Sequence, residues 1–147
     1  MCIMKQVIMY THGICNREDT GGYGVILIYN AIKKELSGRC ENTTNNRMDI
    51  LSVIKGLQAL KESCHVTVYN NNTYLIDAMT KGWVYRWKAR QWRNSDKKPT
   101  PHVDLWEQLL ELCQQHTVEF IWCQYSSKQE EYQKCDTLAR SAIIQKK

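Results

Sequence analysis

The sequence predicts an α/β domain in which helices pack on both faces of a five-stranded mixed sheet, and three observations carry that prediction. Residues 5–38 read as three consecutive β-rich runs joined by short Gly- or Asn-containing links, the signature of an antiparallel meander. A helix-periodic stretch then leads to a short strand, and further helical stretches lead to a second one, which requires parallel crossovers. The chain of 147 residues is long enough to bury roughly 70% of its unfolded surface in one core and too short for two ordinary ones. Residues 1–147 are therefore expected to form one domain.

The elements follow in order. Lys5 to Thr11 alternates as a strand, Gly21-Gly22 opens a second run from Tyr23 to Tyr29, and a third spans Ile32 to Gly38. Thr43-Thr44-Asn45-Asn46 supplies capping side chains, after which Ile50, Val53, Ile54, Leu57 and Leu60 recur at helical spacing. Val66 to Tyr69 is a short strand, ended by Asn70-Asn71-Asn72, and Thr73 to Met79 starts a helix. Trp83 to Trp92 is a basic, aromatic helical stretch, and Asn94 to Pro101 is a loop that holds both prolines of the chain. Val103 to Cys113 is helical, Thr117 to Gln124 is β-rich, and Cys135, Leu138, Ala139 and Ala142 mark the apolar side of a last helix.

Composition excludes several classes. With 43% hydrophobic and 24% charged residues, the chain is far from disordered or collagenous extremes. No apolar run approaches the ~18 residues that cross a bilayer, and Lys5 and Gln6 interrupt the apolar start, unlike a signal peptide. A cytoplasmic protein without membrane contact is expected. Seven widely spaced cysteines with no C-x-x-C pair are expected to be reduced and mostly buried. The net charge of +5 is concentrated from Lys81 to Lys98, where Lys81, Arg86, Lys88, Arg90, Arg93, Lys97 and Lys98 face a single acid, Asp96.

Six strings in order, GGYG (21–24), TTNNRM (43–48), ALKE (59–62), DKKP (96–99), VDLW (103–106) and CD-x-LAR (135–140), together resemble the type 1 ribonuclease H family over nearly the whole chain. The resemblance implies a ribonuclease H-like fold and a hydrolase that cuts the RNA strand of an RNA/DNA hybrid with two magnesium ions. Such chemistry needs dense negative charge, because two hard cations roughly 3.5–4 Å apart are held by oxygen ligands. The family supplies four carboxylates and a catalytic histidine. Here the family's T-D-G-S reads Thr11-His12-Gly13-Ile14, so His12 stands where the central metal-bridging aspartate belongs. The family's N-N-R-M-E ends in Asp49, one methylene shorter than glutamate. Its T-D-S becomes Asn70-Asn71-Asn72, so Asn71 replaces a second aspartate, and only Asp136 is unchanged. Its loop G-H-A-G-H reads Tyr125 to Gln129, so Ser126 takes the histidine's place and cannot shuttle a proton near neutral pH.

Two carboxylates opposite two doubly charged ions predict weak or absent magnesium binding and impaired catalysis. Two other readings stay open. One imidazole and two carboxylates, His12, Asp49 and Asp136, suit manganese, iron or zinc better than magnesium and would make an active enzyme with a rewired site. Alternatively the domain keeps only the fold and tethers a protein partner, because fold alone does not decide function. The basic segment resembles the family's protrusion that grips the DNA strand, and its lysines and arginines would release counterions from phosphates. Asn16, Asn45 and Asn46 stand where the family contacts the RNA strand, although Asn45 and Asn46 also suit helix caps. The altered loop Asn16 to Thr20 adds two acids there. The implied partner is an RNA/DNA hybrid.

Overall fold

A computed structural model describes residues 4–93, 100–124 and 130–144. Its elements are β1 (Lys5–Cys15), β2 (Gly21–Tyr29), β3 (Ile32–Cys40), α1 (Asn45–Gln58), β4 (Cys64–Asn70), α2 (Thr73–Thr80), α3 (Trp83–Ala89), α4 (Val103–Gln115), β5 (Thr117–Trp122) and α5 (Glu130–Ile144). The strands form one sheet in the order β3-β2-β1-β4-β5. β1 runs antiparallel to β2 and parallel to β4, and β4 runs parallel to β5.

Period-two alternation sorts the side chains onto two faces. Val7, Met9, Val25, Leu27, Val66 and Val68 pack with Ile50, Val53, Ile54, Leu57 and Leu109 of α1 and α4. Tyr10 and Ile26 point the other way, to Tyr132 and Cys135 of α5 and to Cys123. Helices thus cover both faces, as the sequence predicts. No helix among the described residues is long and apolar enough to cross a membrane.

Several boundaries differ from expectation; β3 and α4 run two residues further, to Cys40 and Gln115, and β4 spans Cys64–Asn70. β1 continues four residues past Thr11, because Thr11 to Cys15 pair with Gly21 to Val25 of β2 although pairing with β4 stops at Tyr10. The helix expected to reach Trp92 ends at Ala89, since Gln91 and Trp92 take left-handed φ of 57° and 59°, which a right-handed helix cannot continue. The last strand ends at Trp122 rather than Gln124. Of the six cysteines described, all are free, but Cys15, Cys40 and Cys113 are only half-buried.

β1 therefore projects beyond β4 at the end where the two strands part, and α5 lies close across β2 beside it. A Cβ on Gly22 would sit 2.1 Å from the Ala139 carbonyl oxygen, and one on Gly24 would sit 2.2 Å from that of Cys135. His12 pairs with Gly24 in the sheet. The glycine strip lets the backbone of α5 approach His12 to side-chain contact distance. Replacing Gly24 with Ala must push α5 outward, and we expect a loss of roughly 1–3 kcal/mol in urea unfolding. An unchanged midpoint would mean that α5 does not rest on this glycine.

Candidate functional site

The site lies where β1 and β4 diverge, at their carboxyl ends, the position at which ligands collect in open α/β sheets. A cavity of about 400 Å³ is lined by His12, Gly13, Asn45, Asn46, Asp49, Asn71, Asn72 and Arg140, among others. A second hollow of about 480 Å³, with Asn16 and Ile143, shares Ile14, Asn45 and Arg140 with it, so the two form one groove.

His12 enters from β1 and is 5% exposed. Its Nε2 lies 3.0 Å from Asp136 Oδ1 and its Nδ1 lies 2.9 Å from the Tyr132 hydroxyl. Tyr132, Asp136 and Arg140 are spaced by four residues along α5, which stacks them in one row facing β1. Arg140 Nε donates to Asp136 Oδ2 at 2.8 Å. Burial holds the His12 imidazole below its ordinary pKa, against the pull of Asp136.

Asp49 is supported from three sides. Gly13 N donates to its Oδ1 at 2.8 Å and Asn70 Nδ2 does so at 3.2 Å, while Asn72 Nδ2 donates to Oδ2 at 2.8 Å. All three donors are uncharged amides. Burial consequently raises the Asp49 pKa to about 6, only partly offset by those hydrogen bonds. Since this value exceeds that of the unfolded chain, the ionised carboxylate costs stability above about pH 6, and the cost vanishes once both states are protonated.

The corner after β4 is built by asparagines. Asn70, fully buried, ties β4 to β1 through Thr11, and its Oδ1 accepts from Asn72 N at 2.8 Å. Asn72 caps α2, its Oδ1 accepting from Tyr74 N and Leu75 N. Asn71, the residue singled out from the sequence, lies on the cavity wall, and its backbone N donates to the Tyr132 hydroxyl at 3.2 Å.

The structure brings His12 to Asp136 and sets Asp49 and Asn71 around the same cavity. Among the described residues, no three His, Cys, Asp or Glu side chains converge to hold a metal ion. The trio His12, Asp49 and Asp136 is thus divided between two separate hydrogen-bond systems. Ser126, Lys97 and Lys98 lie outside the described residues. Asn45 and Asn46 are not caps: Thr44 is, accepting from Arg47 N at 3.2 Å. Asn46 instead accepts from Asn72 Nδ2, and the Asn16 Oδ1 is held in a turn by Glu18 N and Thr20 N. Lys81, Arg86, Lys88, Arg90 and Arg93 are all exposed, while Trp83, Trp87 and Trp92 pack on the core. Arg86 donates to the Lys81 carbonyl, and Lys81 sits 3.6 Å from Asp77.

Sequence reasoning missed Tyr132, Arg140, Asn70 and Asn72. The four-residue spacing on either side of Asp136 marks the first two as its helical neighbours. Asn70 and Asn72 carried no such signal, because an Asn run at a strand end reads simply as a turn.

A family model described as RNase H matches residues 4–144. A Ribonuclease H of Syntrophus aciditrophicus is 48% identical over 94% of this chain and 80% of its own length. One of Rippkaea orientalis is 47% identical over 96% and 87%. Among solved structures, LC9-RNase H1, a type 1 RNase H with the type 2 active-site motif, superposes with a TM-score of 0.86 at 24% identity, covering 97% of this chain and 74% of that one. The foamy viral protease-reverse transcriptase in complex with RNA/DNA hybrid reaches a TM-score of 0.78 at 17% identity, over 96% of this chain and 20% of that one. Those two structures share the fold, and the curated relatives together with the family match give the lineage: this chain belongs to the RNase H family.

Proposed function

We propose that this chain binds RNA/DNA hybrid through its groove and exposed basic segment, and that its cleavage of the hybrid in magnesium is negligible. The observation that carries this reading is the His12 to Asp136 contact of 3.0 Å. It sets an imidazole ring where a metal ion would have to sit against the one retained carboxylate, whose second oxygen is taken by Arg140. The residues present do not fit a pair of magnesium ions. Such ions need several anionic oxygens with free lone pairs, whereas Asp136 faces two cationic or proton-bearing groups and Asp49 faces three amide donors.

The same donor arrangement speaks against a rewired manganese or zinc centre, because Asp49 and Asp136 are engaged in different networks. Hybrid binding is supported by the groove and by five described, exposed cations on and around α3, whose affinity for phosphate depends on surface charge rather than on a metal cluster. Asn45, exposed on the wall that joins both hollows, has the donor and acceptor pair that a 2′-hydroxyl requires.

Two outcomes test this reading. Protein purified free of host ribonuclease H is expected to leave a labelled hybrid uncut in magnesium, and His12→Asp, Asp49→Glu and Asn71→Asp combined should raise magnesium affinity in calorimetry. Turnover by the unaltered chain, or a folded triple variant that gains no magnesium binding, would contradict it. The second outcome concerns the basic segment. Replacing Lys88, Arg90 and Arg93 with Ala should shrink the log-log salt slope of hybrid binding by up to ~2–3 units in fluorescence anisotropy without divalent ions. Absent or salt-insensitive binding would instead favour the reading in which the domain keeps only the fold and tethers a protein partner.

A further inference from the structure

We propose that Arg140 grips a phosphodiester of the bound hybrid directly, supplying from the protein the positive charge that metal ions would otherwise bring to this groove; this rests on the hybrid-binding reading given above. Placement is the first ground. Of the described residues that line the two hollows, Ile14, Asn45 and Arg140 belong to both, and Arg140 is the one lysine or arginine in either. A polyanion running along the groove passes this cation where the hollows join.

Depth is the second ground. The Arg140 side chain is 61% exposed, whereas that of Asp136 is 13% exposed and Asp49 is 4% exposed. The two acids thus lie deeper than the guanidinium, and an approaching phosphate meets the cation first. With His12 and Asn71 at two of the four carboxylate positions, the cluster also repels a phosphate less than four acids would.

The arginine is also held in place. Its Nε donates at 2.8 Å to Asp136 Oδ2, one turn back along α5, and that bond orients the guanidinium. The backbone just before it is pinned, because the Ala139 carbonyl oxygen fills the space that a Cβ on Gly22 would need. A guanidinium carries its N–H donors in a rigid planar fork that matches the two unesterified oxygens of a phosphodiester, so an oriented one adds geometric specificity to charge.

Fluorescence anisotropy of a labelled hybrid, with a chelator in place of divalent ions, tests the grip. Arg140→Gln should weaken binding roughly tenfold and shrink the log-log salt slope by about one unit. Phosphates are then neutralised one at a time as methylphosphonates beside a deoxy sugar, each compared with the same deoxy sugar beside an ordinary phosphate. At one position the loss should be about tenfold for the unaltered chain and absent for Arg140→Gln, the mark of two groups that touch. If the lone Asp136 carboxylate unfolds that variant, Arg140→Gln combined with Asp136→Asn removes both members of the pair, and the same readouts are taken against Asp136→Asn alone. Unchanged affinity and slope in the folded variant, or equal losses in both proteins at every phosphate, overturns the grip. Either result leaves the hybrid bound and the proposed function standing, whereas no binding by the unaltered chain overturns both.

Discussion

The close seating of α5 on Gly22 and Gly24 is the constraint on which the site depends. Ordinary helix-on-sheet packing keeps side chains between the two backbones, but here the carbonyls of Cys135 and Ala139 occupy the space a Cβ would need. That approach brings the row of Tyr132, Asp136 and Arg140 onto the end of β1. Without it, His12 would face solvent rather than a carboxylate. On the opposite face, Gly13 plays a matching part, since a Cβ there would fall 2.3 Å from the Met48 backbone, and its N–H reaches Asp49 because the two backbones meet.

Electrostatics sets the two carboxylates apart. A buried carboxylate needs positive charge or several hydrogen-bond donors. Asp136 has the Arg140 guanidinium, which donates to its Oδ2 at 2.8 Å, so its charge has a cationic partner. Asp49 has only neutral amides, and its pKa of about 6 records the difference. The two acids are thus unequal: one belongs to an ion-paired chain, and the other sits in a nest of asparagines where its charge is costly. Both arrangements use oxygen lone pairs that a metal pair would require.

Much of the fold was legible because its signals are periodic and local. The meander, the α1 stripe from Ile50 to Leu57 and the late strands all follow from spacing, and six short strings identify the lineage. Two of those strings are structural in this chain: Arg47 of NNRM forms a two-pronged pair with Asp104 of VDLW, at 3.1 and 2.6 Å, which ties α1 to α4. Motif register picked out positions 12, 49, 71 and 136, and the structure sets His12, Asp49 and Asn71 on one cavity with Asp136 against His12. What they touch was not legible. The His12 to Tyr132 bond spans 120 residues in sequence, and the division of Asp49 from Asp136 depends on which amide or cation reaches each oxygen. The helix stop at Ala89 was hidden too, because neither Gln91 nor Trp92 is a residue that ordinarily signals a left-handed turn.

On the proposed function, protein donors rather than metal ions surround the two carboxylates while the hybrid is bound. Crystals of the chain with an RNA/DNA hybrid, grown in manganese and measured at the manganese absorption edge, test it most directly. The expected result is a duplex lying along the groove and α3, His12 still against Asp136, and no anomalous peak within bonding distance of Asp49 or Asp136. A pair of peaks bridging those two carboxylates, with the imidazole swung away from Asp136, would contradict it.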